Sequence, residues 1–116
     1  MIRIALDYDG VVSANYQHYF QLASDFKRSG HQVYIITAAE HERGIQIIDN
    51  LSKLCFPYSG AFIRDANFVS THKNIGEWKK KTLINNKIDL WFDNEVKIYE
   101  QAGVDFSDIK TEIVRV

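Results

Sequence analysis

One cysteine and one proline are all that the 116 residues hold of either. A lone thiol excludes an intramolecular disulfide and every multi-cysteine metal knuckle, and it fits a reducing compartment. Cys55 lies in the apolar run Leu54-Cys55-Phe56, where a buried, inert thiol is expected rather than a nucleophile. Net charge is also lacking: fourteen basic residues against fifteen acidic ones leave −1. No overall field therefore draws the chain to nucleic acid or an anionic membrane, and such a partner would need a local patch. Long apolar runs are missing as well. Ile2 to Leu6 is interrupted by Arg3 and stopped by Asp7 and Asp9, far short of a signal-peptide core or a membrane span. The expected location is cytoplasmic, with no membrane partner. What is present is an ordinary globular composition, 46% hydrophobic and 25% charged, at a length that suits one domain over residues 1–116 with a buried core.

Ile2 to Leu6 reads as a strand that runs into the polar turn Asp7-Tyr8-Asp9-Gly10. From about Asn15 to Ser29, Tyr16, Tyr19, Phe20, Ala23 and Phe26 recur at helical spacing, and Gly30 follows as a stop. His31 to Ile36 reads as a buried strand closed by Thr37. Ile47, Ile48, Leu51 and Leu54 mark a second helix, and Pro57, Ser59 and Gly60 a break. Ala61 to Ile63 is a short strand, Arg64 to Thr71 a loop, and Ile75, Trp78 and Leu83 a helix ending near Asn85-Asn86. Ile88 to Phe92 is a strand ending at Asp93, then a short helix runs through Val96 and Tyr99 to Gly103, and Glu112 to Val116 is a last strand. Strands alternating with helices predict an α/β fold: a doubly wound, Rossmann-like, mainly parallel sheet of five strands in a single domain.

In such a sheet, ligands bind beyond the carboxyl ends of the strands, where the strand order reverses. The strand-end residues are Asp7 and Asp9, Thr37, and Asp93. Two carboxylates at i and i+2 of an extended segment point to one side, and held close they repel unless a cation or a shared proton relieves them. An oxygen-liganded Mg²⁺ answers that need, with Asp93 as a third carboxylate. The set suits phosphoryl chemistry, in which one aspartate attacks phosphorus, a neighbouring acid serves the leaving oxygen and then water, and a hydroxyl and an ammonium hold the other oxygens.

With these motifs in order, the chain resembles the haloacid dehalogenase (HAD) superfamily of Mg²⁺-dependent phosphohydrolases. Ile4-Ala5-Leu6-Asp7-Tyr8-Asp9-Gly10-Val11 is similar to its first motif, Val33-Tyr34-Ile35-Ile36-Thr37 to its second, and Leu90-Trp91-Phe92-Asp93 in part to its fourth. The resemblance implies Asp7 as the nucleophile forming an aspartyl-phosphate and Asp9 as general acid and base. It implies Thr37, with Ala38 beside it, as phosphoryl-binding, and Asp7, Asp9 and Asp93 as Mg²⁺ ligands. The third motif is a lysine with four candidates, Lys73, Lys79, Lys80 and Lys81, of which Lys73 is preferred for its place at a loop-to-helix junction. The fourth motif often carries a second acid, whereas here Asp93 is followed by Asn94, Glu95 and Val96. Val12 to Asn15 and Arg64 to Thr71 are too short to hold the cap domain many members carry. The resemblance is therefore to the capless branch, whose open sites admit large phosphorylated substrates, nucleic-acid ends or phosphoproteins among them.

Blander readings stand beside these. An Asp-x-Asp pair in a turn is usually just solvated, and Thr37 and Asp93 could each be helix caps. Lys79-Lys80-Lys81 beside Trp78 suggests nucleic-acid binding, but successive lysines fan around a helix and Trp78 shares a stripe with Ile75. The four histidines show no metal-ligand spacing. Glu40-His41-Glu42-Arg43 suits an exposed first helical turn. Two other functions remain: a catalytically silent binding or assembly module of the same fold, favoured by the missing second acid, and a phospho-accepting receiver using Asp65 after the third strand.

Overall fold

In the computed structural model, which describes residues 1–116, the first strand β1 (Arg3–Asp7) is buried from Ile4 to Asp7, as the centre of a parallel sheet covered on both faces must be. It is followed by α1 (Tyr16–Arg28), β2 (Gln32–Thr37), α2 (His41–Lys53), β3 (Gly60–Ile63), α3 (His72–Asn85), β4 (Leu90–Asp93), α4 (Val96–Gln101) and β5 (Glu112–Arg115). All five strands are parallel, in the order β3-β2-β1-β4-β5. The chain winds outward from β1 through β2 to β3, then crosses back to set β4 on the other side of β1. The strand order thus reverses between β1 and β4, where a doubly wound sheet opens its binding crevice. No helix is long and apolar enough to cross a membrane.

Strand alternation sorts the core into two layers. Ile4, Leu6, Val33 and Ile35 pack with Tyr19 and Ala23 of α1 and Ile47 and Leu51 of α2. Ala5, Ile36 and Trp91 face the other way, against Leu83 of α3 and Val96 and Tyr99 of α4. By the same alternation Asp7 and Asp93 fall on the α3 and α4 face, while Thr37 falls on the α1 and α2 face.

All four helices end with one device. The third residue beyond each helix donates its N–H back to a carbonyl in the last turn, as in His31 to Phe26, Phe56 to Leu51, Ile88 to Leu83 and Val104 to Tyr99. The residue before it takes a left-handed φ. Gly30 and Gly103 do so freely, and Cys55 at φ 56° and Lys87 at φ 52° do so without being glycine. This corrects the expectation of a buried thiol: Cys55 occupies the outward-turned cap position and is exposed, while Phe56 goes into the core.

Helix α3 lies so close to α4 that a methyl group on Gly76 would sit 2.8 Å from Cβ of Tyr99 and 2.8 Å from Cγ2 of Val104. Both are fixed parts of buried side chains. Gly76→Ala is therefore expected to cost about 1–3 kcal/mol through overpacking, outweighing the ~1 kcal/mol alanine gains in helix propensity. The urea midpoint measures this, and an unchanged midpoint would show that α3 is free to move away.

Candidate active site

The centre of the crevice is a buried lysine between two buried aspartates. Leu6 stands opposite Phe92 in the β1/β4 register, so Asp7 and Asp93 follow side by side at the strand ends. The ammonium of Lys79, on α3, donates to Asp7 Oδ1 at 3.0 Å and to Asp93 Oδ2 at 2.7 Å. Its third hydrogen bond goes to the Tyr99 hydroxyl at 3.0 Å, so all three donors are used. Tyr99 in turn donates to Glu95 Oε2 at 3.2 Å. The second oxygen of Asp93 accepts the Glu95 N–H at 2.7 Å, which fixes the carboxylate and opens α4. Lys79, Asp7 and Asp93 have side chains only 2%, 6% and 0% exposed, so these are low-dielectric contacts and not a surface pair.

Two carboxylates and one ammonium leave this cluster with an excess of negative charge. Burial is the main force that pushes the Asp7 carboxyl up, to about 7; Lys79 pulls it down, and Asp93 adds to the rise. Burial alone would lower Lys79, but Asp7 and then Asp93 outweigh it, and the amine is held charged well above the usual lysine range. Burial likewise raises the Tyr99 phenol, which stays protonated and able to donate.

Asp7 and Lys79 open onto a cavity of about 180 Å³, whose other walls are Asp9, Ala38, Ala39, Ile75, Glu95 and Tyr99. Asp9 lines the same cavity as Asp7, and its charge adds to the rise of the Asp7 carboxyl. β1 stops at Asp7, and Tyr8 to Val12 form a wide turn with Gly10 at φ 80°. Asp9 is carried to the rim, half exposed, where both its oxygens accept from Arg43 of α2 at 2.9 and 3.0 Å.

Thr37 is buried beneath this cavity and does not line it. Its hydroxyl accepts the Ala39 N–H at 3.2 Å and so shapes the segment that does. Arg64, at the end of β3, clasps the same segment through Nε to the Ala39 carbonyl at 2.8 Å, while the His41 ring bonds the Arg64 carbonyl at 2.7 Å.

Lys73 is not brought to the site. It lies exposed in the first turn of α3, beyond the strand ends, with no ion-pair partner. Side chains on a helix lean toward its N-terminus, so the lysine that reaches the strand ends is rooted further along, at Lys79. The sequence held a signal for it: Lys79 lies four residues after Ile75 and four before Leu83, a charge on an apolar stripe. Lys80 instead pairs with Asp108, and Lys81 lines a separate cavity with Trp78 and Asp65. Asp65 is exposed and does not line the cavity onto which Lys79 opens. Tyr99 and Arg43 are residues of the site that motif reading did not assign to it, and Glu95, just beyond the fourth motif, joins it through Tyr99 and Asp93.

The donors fit a hard divalent cation of the Mg²⁺ type. Such an ion keeps several waters and takes one or two carboxylates plus a substrate oxygen. Asp7 Oδ2 makes no hydrogen bond within the protein, and the cluster's surplus negative charge is of the sign a cation relieves; Asp93 lies fully buried beside Asp7, outside the cavity lining, with its oxygens taken by Lys79 and the Glu95 N–H. No third acidic side chain joins them as a preformed cage. No protein-family model, curated protein or solved structure matches this chain.

Proposed function

We propose that this protein is a Mg²⁺-dependent phosphohydrolase of the capless haloacid dehalogenase type, acting on phosphate monoesters through an aspartyl-phosphate. The observation that carries this reading is the buried Asp7–Lys79–Asp93 bridge at the point where the strand order reverses. A lysine buried at this cost in desolvation, with all three protons directed into one acidic corner, suits a site built for an anion and a cation together.

Lys79 holds Asp7 Oδ1, so the unbonded Oδ2 is the oxygen that attacks phosphorus. The new Oδ2–P bond forms as the P–O bond to the leaving group breaks, and Asp9 gives its proton to the leaving oxygen. Water then attacks the phosphorus of the acyl phosphate, passing a proton back to Asp9, and inorganic phosphate leaves with Asp7 regenerated. The ammonium of Lys79 offsets charge on the phosphoryl oxygens, and the segment of Ala38 and Ala39, held by Thr37 and Arg64, forms the wall of the cradle. Asp7, with Asp93 behind it, would hold Mg²⁺, which would supply Lewis-acid stabilisation of the phosphoryl group.

Phosphate release from a generic aryl phosphate, with and without Mg²⁺, tests the reading. Release that requires the metal and falls by at least ~10³-fold in Asp7→Asn is expected. Release that persists in Asp7→Asn would overturn it. The engagement of both Asp9 oxygens by Arg43 and the single acid at the end of β4 favour a second reading, a silent binding module of this fold. Absence of turnover together with a melting temperature unmoved by Mg²⁺ would select it, because a ligand bound only to the folded state must raise that temperature.

A further inference from the structure

Asp9 must exchange a proton with the leaving group in the proposed reaction, yet it is tied at both oxygens to the Arg43 guanidinium, at 2.9 and 3.0 Å. The tie is easily undone. Asp9 and Arg43 have side chains 51% and 52% exposed, and ion pairs this open to water contribute little. Its place matters more than its strength. The cavity over Asp7 holds the volume of about six waters. That is enough for a phosphoryl group and its solvation, so a leaving group extends past the cavity walls, and Asp9, with Arg43 beside it, forms one of them. Arg43 also lies in the first turn of α2, where a cation works against the helix dipole and is best offset by an anion.

We propose that Arg43 reads a second anionic group on the substrate, and that its transfer from Asp9 to that group frees Asp9 for proton transfer. The substrate class is then a phosphomonoester whose leaving group carries another phosphate, phosphodiester or carboxylate. This inference rests on the phosphohydrolase reading. A planar guanidinium that grips a carboxylate with two parallel hydrogen bonds grips a phosphate in the same way. Substrate binding and release of the acid are thereby one event, and an ester without the second anion leaves Asp9 partly tied.

The test uses butyl phosphate and butane-1,4-diol bisphosphate, which differ in the second anion. Their affinities are measured by calorimetry in Asp7→Asn, where neither is consumed, and in Asp7→Asn/Arg43→Gln. Binding of the bisphosphate at least ~5-fold tighter is expected in the first protein, and near-equal binding in the second. Turnover of butyl phosphate gives a readout that a merely structural role for Arg43 would not produce. Its kcat is expected to rise by about two- to fivefold in Arg43→Gln, because the tie is gone, while the advantage of the bisphosphate in KM disappears.

A bisphosphate preference that survives Arg43→Gln overturns the inference while butyl phosphate turnover leaves the phosphohydrolase reading standing. A fall in butyl phosphate kcat also overturns it, since Arg43 would then be holding Asp9 in its working position. Failure of the protein to bind or turn over either ester removes both. A 3′-phosphorylated dinucleotide as third ligand separates the sources of the second anion: tighter Arg43-dependent binding than the bisphosphate names a nucleic-acid end, and equal binding names the shared bis-anionic chemistry.

Discussion

Lys79→Met is expected to lose about 3–5 kcal/mol of unfolding free energy near neutral pH, together with all of the proposed phosphatase activity. The side chain is 2% exposed, and its ammonium is the only cation bonded to Asp7 and Asp93. Methionine replaces the buried stem but leaves two carboxylates adjacent and uncompensated. Against a total stability of about 5–15 kcal/mol, such a variant folds marginally. The deficit should also depend on pH in a definite sense. Asp7 titrates at about 7 in the folded chain against an ordinary 3.8, because burial outweighs the pull of Lys79. A carboxyl raised on folding contributes fully below its unfolded value, and that contribution is lost as pH rises through the folded one. Removing Lys79 deletes the downward pull, so the gap between variant and wild type widens toward about pH 8 and narrows toward about pH 5. Urea titrations across that range measure it. A gap that stays constant with pH would assign the loss to packing of the lysine stem and not to charge.

How such a site is written into the chain differs from residue to residue. Strands and helices were legible because each carries its own period. The apolar run Ile4-Ala5-Leu6, stopped by Asp7, and the stripe through Tyr16, Tyr19 and Ala23 place β1 and α1 to within a residue or so. Asp7 and Asp93 were legible because each abruptly ends an apolar run. Lys79 was obscured by its neighbours, since Lys80 and Lys81 make the segment look like a solvated basic face, and only helical phase separates the buried lysine from the other two. That Asp9 sits at the rim, paired with Arg43, depends on where β1 stops, a matter of a single residue that alternation alone does not decide. The exposure of Cys55 follows from the backbone of a helix end, where composition pointed the other way. Arg43 illustrates a different limit: its partner lies 34 residues away, on a turn that meets α2 only once the sheet is assembled.

Asp7→Asn should abolish turnover and yet stabilise the fold, by on the order of 1–3 kcal/mol above pH 7, or roughly 5 °C in melting temperature per kcal/mol. Asparagine keeps the shape and an oxygen that accepts from Lys79 at the position of Oδ1, now 3.0 Å away. It removes the charge whose burial drives the Asp7 carboxyl up to about 7. One lysine and one aspartate remain, and the cluster is balanced. Asp93→Asn supplies the contrast. Asp93 is fully buried and accepts at both oxygens, from Lys79 and from the Glu95 N–H, so an amide satisfies only one of the two and leaves an N–H pointing at a donor. That variant should be destabilised while the Asp7 variant gains. Thermal melts of both, with and without Mg²⁺, decide the matter. Opposite shifts, with the Mg²⁺ response lost in each, are what a strained nucleophile beside a structural ligand requires. Destabilisation of both by similar amounts would mean that Asp7 serves the fold as Asp93 does, and would leave the corner without the stored cost that marks a reactive carboxylate.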